Sequence, residues 1–232
     1  MNSIKPIYSS LENDHLVHLI TNNEISGKIY NNYFIDIGLK KNLYLAKQTL
    51  RKKIHNKAFF LDRDGVINRT LLEKGKPVAP RKLKEFQILK NVKKSLIFLK
   101  KKGFKNIIIT NQPDIKKGLT ETYLLKNINN KIKSKLKIDD IFVCQHIESD
   151  KCKCRKPSPG LILKAKKKWN IDLNKSYLIG DRWRDIYLAN KLKINCFYID
   201  KNYKEKKPKK FNYKVKSLFG AIKEMKKNEK NT

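Results

Sequence analysis

The chain predicts a three-layer α/β fold, a parallel sheet with helices on both faces, on three observations. From residue 57 to about 225, short apolar runs of strand length alternate with stretches of helical period. Those runs are apolar throughout, as strands covered on both faces are. Three of them end in polar groups: Asp62-Arg63-Asp64-Gly65, Thr110-Asn111-Gln112 and Gly180-Asp181. Open α/β sheets bind their ligands at such carboxyl ends.

Each element can be placed in order. AFFL (58–61) is the first strand, bounded by Lys57 and Asp62. A helix is expected over 82–102, where Val92, Leu96 and Leu99 keep helical spacing and Lys-rich sequence runs into Gly103 as C-cap. NIIIT (106–110) is the second strand, followed by a helix over about 120–136 and a third strand, IFVC (141–144). LILKAKKKW (161–169) reads as helix, SYLIG (176–180) as the fourth strand, DIYLANKL (185–192) as helix and CFYID (196–200) as the fifth strand. A short strand near 213–216 and a helix around 217–227 complete the alternation, after a charged loop, NYKEKKPKK (202–210). The main domain is therefore expected over 56–225, with a disordered tail at 226–232. Residues 1–55 stand outside as an N-terminal appendage, whose one structured-looking piece is GKIYNNYFIDIGLKKNLYLAKQTL (27–50).

Composition sets outer limits. With 232 residues the chain holds one α/β domain and an appendage. It contains no run of about 18 apolar residues and no secretory signal pattern, so a cytoplasmic protein without a membrane partner is expected. Fifty-five basic against 21 acidic residues give a formal +34. Such charge suggests a nucleic acid. However, only seven of the 55 are Arg, and the lysines spread along the chain with abundant Asn and Ile, the signature of an AT-rich coding sequence. Solvated helix faces therefore account for the charge, and a nucleic-acid partner is not expected. The few arginines are more telling: Arg63, Arg69, Arg155, Arg182 and Arg184 fall in or beside the polar motifs. A planar guanidinium grips a phosphate in two places where Lys offers a point charge.

The strand ends carry chemistry. Asp62 and Asp64, two residues apart, can both point into one site, where they repel unless a proton or cation lies between them. A hard, oxygen-preferring Mg²⁺ suits them, with Asp181 completing its shell from a neighbouring strand. Downstream, CQHIESDKCKC places Cys144, His146, Cys152 and Cys154 within eleven residues. Three thiolates and one imidazole make a closed tetrahedral Zn²⁺ set with no position left for water. Cys196 opens the fifth strand and reads as core.

FLDRDGVIN, TNQ, CRKPSPG and IGDRWRDIYLA, in this order, resemble the four motifs of the haloacid-dehalogenase superfamily. With the zinc loop, they most resemble the D-glycero-D-manno-heptose-1,7-bisphosphate 7-phosphatases and the related histidinol phosphatases, over about residues 57–220. The resemblance implies a Rossmann-like fold without a large cap domain. It implies Asp62 as a nucleophile forming an aspartyl-phosphate and Asp64 as general acid, then base. Mg²⁺ would be held by Asp62, Asp181 and the backbone carbonyl of Asp64. Thr110 and Lys156 would bind the transferring phosphoryl group, and Asn111 and Arg155 the substrate, Arg155 at a second phosphate. Arg63, Gln112 and Arg182 complete the expected substrate-binding set. The substrate implied is a sugar bisphosphate, D-glycero-D-manno-heptose 1,7-bisphosphate hydrolysed to the 1-phosphate, and a monomer is expected.

Some residues depart from the family pattern. Pro113-Asp114-Ile115 stands where the heptose enzymes carry Ser-Gly-Ile, LLEKGKPVAP where they carry a Gly-Tyr stretch, and Arg182 where they carry Lys. These touch substrate choice, so histidinol phosphatase, nucleic-acid 3′-phosphatase and a non-catalytic partner module are the rivals. The appendage has its own echo. NNYFIDIGLKKNLYLAKQTL is similar to the C-terminal end of sugar-1-phosphate nucleotidyltransferases, which makes such an enzyme a candidate partner.

Overall fold

A computed structural model describes residues 10–30, 34–53 and 55–230. The chain divides into two compact units, residues 1–48 and 49–232. In the first, a π-helical turn over Leu11–Leu16 runs into α1 (Val17–Thr21). It is capped by Ser10, whose hydroxyl accepts the Asn13 N–H while its own N–H donates to Asp14. Helix α2 (Lys40–Lys53) begins in this unit. Residues 31–33, within the stretch similar to nucleotidyltransferases, lie outside the described residues.

The second unit is built on a six-stranded sheet. Its strands are β1 (Lys57–Leu61), β4 (Phe104–Asn111), β5 (Asp140–Cys144), β6 (Tyr177–Gly180), β7 (Asn195–Ile199) and β8 (Tyr213–Val215). Their spatial order is β5-β4-β1-β6-β7-β8, every pair parallel. The helices are α3 (Val92–Lys101), α4 (Thr122–Lys135), α5 (Gly160–Trp169), α6 (Trp183–Lys191) and α7 (Leu218–Lys230).

Strand alternation makes the three layers. On β1, Phe59 and Leu61 join a core with Leu96 and Leu99 of α3, Ile128 of α4 and Leu218 of α7. Ala58 and Phe60 join a second core with Leu161 and Ile162 of α5 and Ile186 of α6. A central strand therefore has no solvent face, which is why its sequence is continuously apolar. Fully burying each such side chain stabilises the fold by roughly 1.5–3 kcal/mol.

The chain moves to one side of β1 for β4 and β5, then crosses to the other for β6. The carboxyl end of β1 is thus the switch point where a doubly wound sheet opens a crevice.

Two local expectations are corrected. The helix expected over 82–102 begins only at Val92; before it lies a single 3₁₀ turn, Leu83–Glu85. Residues 86–90 run extended instead, because Arg69 donates to the Gln87 carbonyl and Leu89 to that of Ile67. Asn91, at φ 63°, then turns the chain into the helix. In addition, LLEKGKPV folds into a hairpin of β2 (Leu71–Glu73) and β3 (Lys76–Val78). Its two-residue turn has positive φ at both Lys74 and Gly75, the backbone that matches strand twist. At the other end, α7 continues to Lys230, past the point where a tail was expected, with Leu218, Ala221, Ile222 and Met225 keeping its apolar stripe. No described helix is long and apolar enough to cross a membrane.

Candidate active site

The strand register sets the site. Leu61 pairs with Ile108 on one side and Ile179 on the other, so Asp62 emerges between the ends of β4 and β6. There it meets Lys156, whose ammonium bridges Asp62 Oδ1 at 2.7 Å and Asp185 Oδ1 at 2.6 Å. The same ammonium donates to the Ile109 carbonyl at 2.9 Å, so a buried cation has three oxygens around it. Burial alone would lower the Lys156 pKa, but the Asp185 and Asp62 carboxylates outweigh it and hold the amine charged.

Asp62, Asp181 and Asp185 form a buried trio whose ligand oxygens lie within 4.8 Å of one another. Burial is the main force pushing Asp62 up to about 7; Lys156 opposes it, and Asp185 and Asp64 reinforce it. Burial, then Asp62 and Asp185, push Asp181 well above the usual carboxylate range. Oδ1 of Asp181 is buried without a hydrogen-bond partner. Crowded, desolvated carboxylates with an unsatisfied oxygen fit a hard divalent cation.

Two glycines make this packing possible. A Cβ on Gly65, which sits at φ +88°, would lie 1.7 Å from Asp181 Oδ2, and one on Gly180 would lie 2.2 Å from Asp185 Cβ.

Asp64 is held beside the trio. Arg63 grips its carboxylate from Nε (3.2 Å) and Nη2 (3.0 Å to Oδ2), Asn68 donates at 2.9 Å and Gln112 at 2.7 Å. Gln112 also donates to the Thr110 hydroxyl at 2.8 Å, tying the β4 end to the same web.

The Cys/His cluster lies on the segment after β5. Cys144 Sγ is 3.5 Å from His146 Nδ1, 3.7 Å from Cys152 Sγ and 3.3 Å from Cys154 Sγ. Cys154 Sγ is 3.4 Å from Cys152 Sγ and 3.3 Å from His146 Nδ1. The edges of a tetrahedron around an ion at zinc–ligand distances are about 3.5–3.8 Å, so the donor set and its spacing suit a closed site.

Comparison with known proteins agrees with this geometry. Residues 57–217 match the family model described as polynucleotide kinase 3 phosphatase. The D-glycero-beta-D-manno-heptose-1,7-bisphosphate 7-phosphatase of Helicobacter pylori strain 26695 is 36% identical over 152 residues, 62% of this chain and 84% of that protein. The alpha-specific counterpart from Photorhabdus laumondii is 36% identical over 177 residues, 66% of this chain and 89% of its own. The chain belongs to the heptose-1,7-bisphosphate 7-phosphatase family of the haloacid-dehalogenase superfamily. In fold it matches the D,D-heptose 1,7-bisphosphate phosphatase of B. bronchiseptica, solved with magnesium and phosphate. The TM-score is 0.64 at 23% identity, over 74% of this chain and 99% of that one.

Within this heptose-phosphatase fold, the structure gathers Asp62, Asp64, Thr110, Asn111, Arg155, Lys156, Asp181 and Arg182 around one cleft of about 1140 Å³. Arg63 and Gln112, expected on the substrate, are instead buried and hold Asp64. Asn111 clasps the Lys156 backbone, donating to its carbonyl at 3.1 Å and accepting its N–H at 3.0 Å. Arg182 lines the cleft but is tied to Glu205.

Several cleft residues were missed in the sequence. Asp185 had a signal: it stands four residues after Asp181, within the quoted IGDRWRDI, on the first turn of α6. Arg184, paired with Glu148 at 3.0 Å, is one of the motif arginines already named, without an assigned role. The hairpin had only its place, LLEKGKPVAP standing where the family carries a Gly-Tyr stretch, and the loop carrying Lys204 and Glu205 had no signal.

Proposed function

We propose that the chain is a Mg²⁺-dependent phosphatase that removes one phosphate from a phosphorylated heptose bisphosphate in the cytoplasm, working as a monomer with a structural Zn²⁺. The observation that carries this reading is the buried trio of Asp62, Asp181 and Asp185 around Lys156 at the floor of a cation-rimmed cleft.

In this mechanism Asp62 attacks the phosphoryl phosphorus. Lys156 and the Arg63 N–H both fall on Oδ1, at 2.7 and 2.8 Å, and so orient the carboxylate with Oδ2 toward the cleft as the attacking oxygen. The P–O bond to the sugar breaks as the Asp62–phosphorus bond forms. Asp64 gives its proton to the departing alkoxide, then takes one from the water that splits the aspartyl-phosphate. Thr110 and Lys156 line the cleft beside Asp62, where the phosphoryl oxygens would lie. Mg²⁺ held by Asp62, Asp181, Asp185 and the Asp64 backbone would supply charge neutralisation for those oxygens. Zn²⁺ held by Cys144, His146, Cys152 and Cys154 would fix the loop that leads into Arg155.

Arg155 provides the second anion contact. Its Nε is buried without a partner, and its guanidinium is crowded by Arg184 and Arg182. A phosphate held away from the reacting centre would satisfy Arg155 and offset the repulsion among the three guanidinium groups. A sugar nucleotidyltransferase is the candidate partner of the N-terminal unit.

A release assay with Mg²⁺ over a panel of sugar bisphosphates, sugar monophosphates, histidinol phosphate and 3′-phosphorylated oligonucleotides tests the reading. Preferred hydrolysis of the heptose bisphosphate supports it. Preference for the oligonucleotide, the substrate class that the matched family model's description and the +34 charge favour, replaces it with the nucleic-acid reading.

A further inference from the structure

Three consecutive residues after β7 each reach a different part of the cleft. Tyr203 donates its hydroxyl to Asp181 Oδ2 at 2.5 Å. Lys204 gives its N–H to the carbonyl of Gly75, at the turn of the β2–β3 hairpin, at 2.9 Å. Glu205 accepts a forked pair from Arg182, at 3.0 and 3.1 Å from Nε. The segment 203–205 is thus strapped to Asp181 and Arg182 on one side and to the hairpin on the other. The fit at the hairpin is close: a Cβ on Gly75 would lie 2.7 Å from Lys204 Cδ.

We propose that Tyr203 is a positioning residue for the divalent cation, fixing the plane of the Asp181 carboxylate so that Oδ1 is the oxygen offered to the ion. The inference rests on the cation site described above. Asp181 Oδ2 is confined between two groups: the Tyr203 hydroxyl, and the backbone of Gly65, where even a Cβ would be at 1.7 Å. The other oxygen, Oδ1, is buried and has no partner. One oxygen is therefore occupied by a protein donor, while the other has none, in a residue that groups with Asp62 and Asp185 as a possible cation ligand. Groups that hydrogen-bond a ligating carboxylate set its orientation, and their loss typically costs 10–100-fold in metal affinity. Because Tyr203 belongs to the strap, cation binding and the seating of the hairpin on the cleft rim become one coupled event.

Mn²⁺ binding followed by the EPR signal of the free ion, on purified protein without substrate, tests this independently of turnover. Wild type, Tyr203→Phe and Asp181→Asn are compared, with the melting temperature of each. Tyr203→Phe keeps the ring and removes only the hydroxyl. It should weaken Mn²⁺ about tenfold at an unchanged melting temperature, while Asp181→Asn abolishes the tight site. If Asp181→Asn loses binding and Tyr203→Phe binds as wild type does, the positioning role is overturned and the cation site stands. If Asp181→Asn keeps tight binding, the cation site and the inference fall together.

Discussion

Among the described residues, the two clusters that could hold a metal ion are built on opposite principles. Asp62, Asp181 and Asp185 come from three separate places, the ends of β1 and β6 and the start of α6, and every one is buried. Cys144, His146, Cys152 and Cys154 come from eleven consecutive residues, and only Cys144 is buried. The first cluster is assembled by the sheet and α6, against the repulsion of its own carboxylates. The second has a single short 3₁₀ turn, Glu148–Asp150, between its two halves, and apart from the ion pairs of Glu148 with Arg184 and Asp150 with Lys116 the segment relies on its four ligands to stay closed. Breaking the first should therefore cost turnover and leave the fold. Breaking the second should cost the fold of its segment.

The sharpest break is Asp62→Asn. It removes the attacking oxygen while keeping shape, and it also removes one of three crowded carboxylates. Turnover should fall by at least about 10³-fold, as loss of a covalent nucleophile does. The melting temperature should hold or rise, because burial had pushed the Asp62 carboxyl up to about 7 and the amide relieves that crowding. Survival of more than a few per cent of wild-type kcat would sink the covalent mechanism.

Asp64→Asn should be next, with kcat down on the order of 10²–10⁴-fold. Arg63, Asn68 and Gln112 all donate to the Asp64 carboxylate and the amide NH2 cannot accept from them, so the melting temperature should fall as well; a variant whose kcat, corrected for the folded fraction, stays within about tenfold of wild type would show that Asp64 is structural.

Cys152→Ser tests the other cluster. Elemental analysis should find about one Zn²⁺ per wild-type chain and none in the variant, since a closed site needs all four donors. The melting temperature should fall by about 5–10 °C, the shift expected for a loss of about 2–3 kcal/mol in a domain of this size. A metal-free variant that melts and turns over as wild type does would remove zinc from the account.

Much of this is legible in the sequence, for reasons that differ from place to place. Parallel strands buried on both faces declare themselves as unbroken apolar runs, so AFFL and NIIIT could be placed to within two residues. Side chains at strand ends inherit that certainty, which is why Asp62, Thr110 and Asp181 meet at one cleft. The register of neighbouring residues does not follow from strand placement. Arg63 and Gln112 sit beside residues that face the cleft, yet they point into the protein and brace Asp64. The stretch 82–91 has enough apolar residues for a helix, but it makes only one 3₁₀ turn, Leu83–Glu85, before backbone bonds from Arg69 to Gln87 and from Leu89 to Ile67 hold the chain extended, and such pairing leaves no periodic trace. The rim was hidden most completely. Tyr203 and Glu205 lie in what reads as a charged loop, and only tertiary structure reveals that they end on Asp181 and Arg182.

The smallest expected effect is the one that joins the two clusters. Arg155 directly follows Cys154; its N–H donates to Cys152 Sγ at 3.3 Å and its Nη1 to the His146 carbonyl at 3.0 Å. Its guanidinium also lines the cleft. It is thus anchored in the Cys/His segment and offered to the substrate, while Lys156, one residue on, belongs wholly to the carboxylate cluster. Arg155→Ala should raise KM for a sugar bisphosphate by about 30–150-fold, the equivalent of roughly 2–3 kcal/mol for a lost charge-assisted bond. KM for a monophosphate, which has no second anion to offer, should move far less, and kcat for both should change little. Cys152→Ser, once corrected for the fraction folded, should show the same asymmetry in weaker form, because it loosens the segment that aims Arg155. Equal effects of Arg155→Ala on both substrates would detach the Cys/His cluster from substrate choice and move weight to a monoester such as histidinol phosphate.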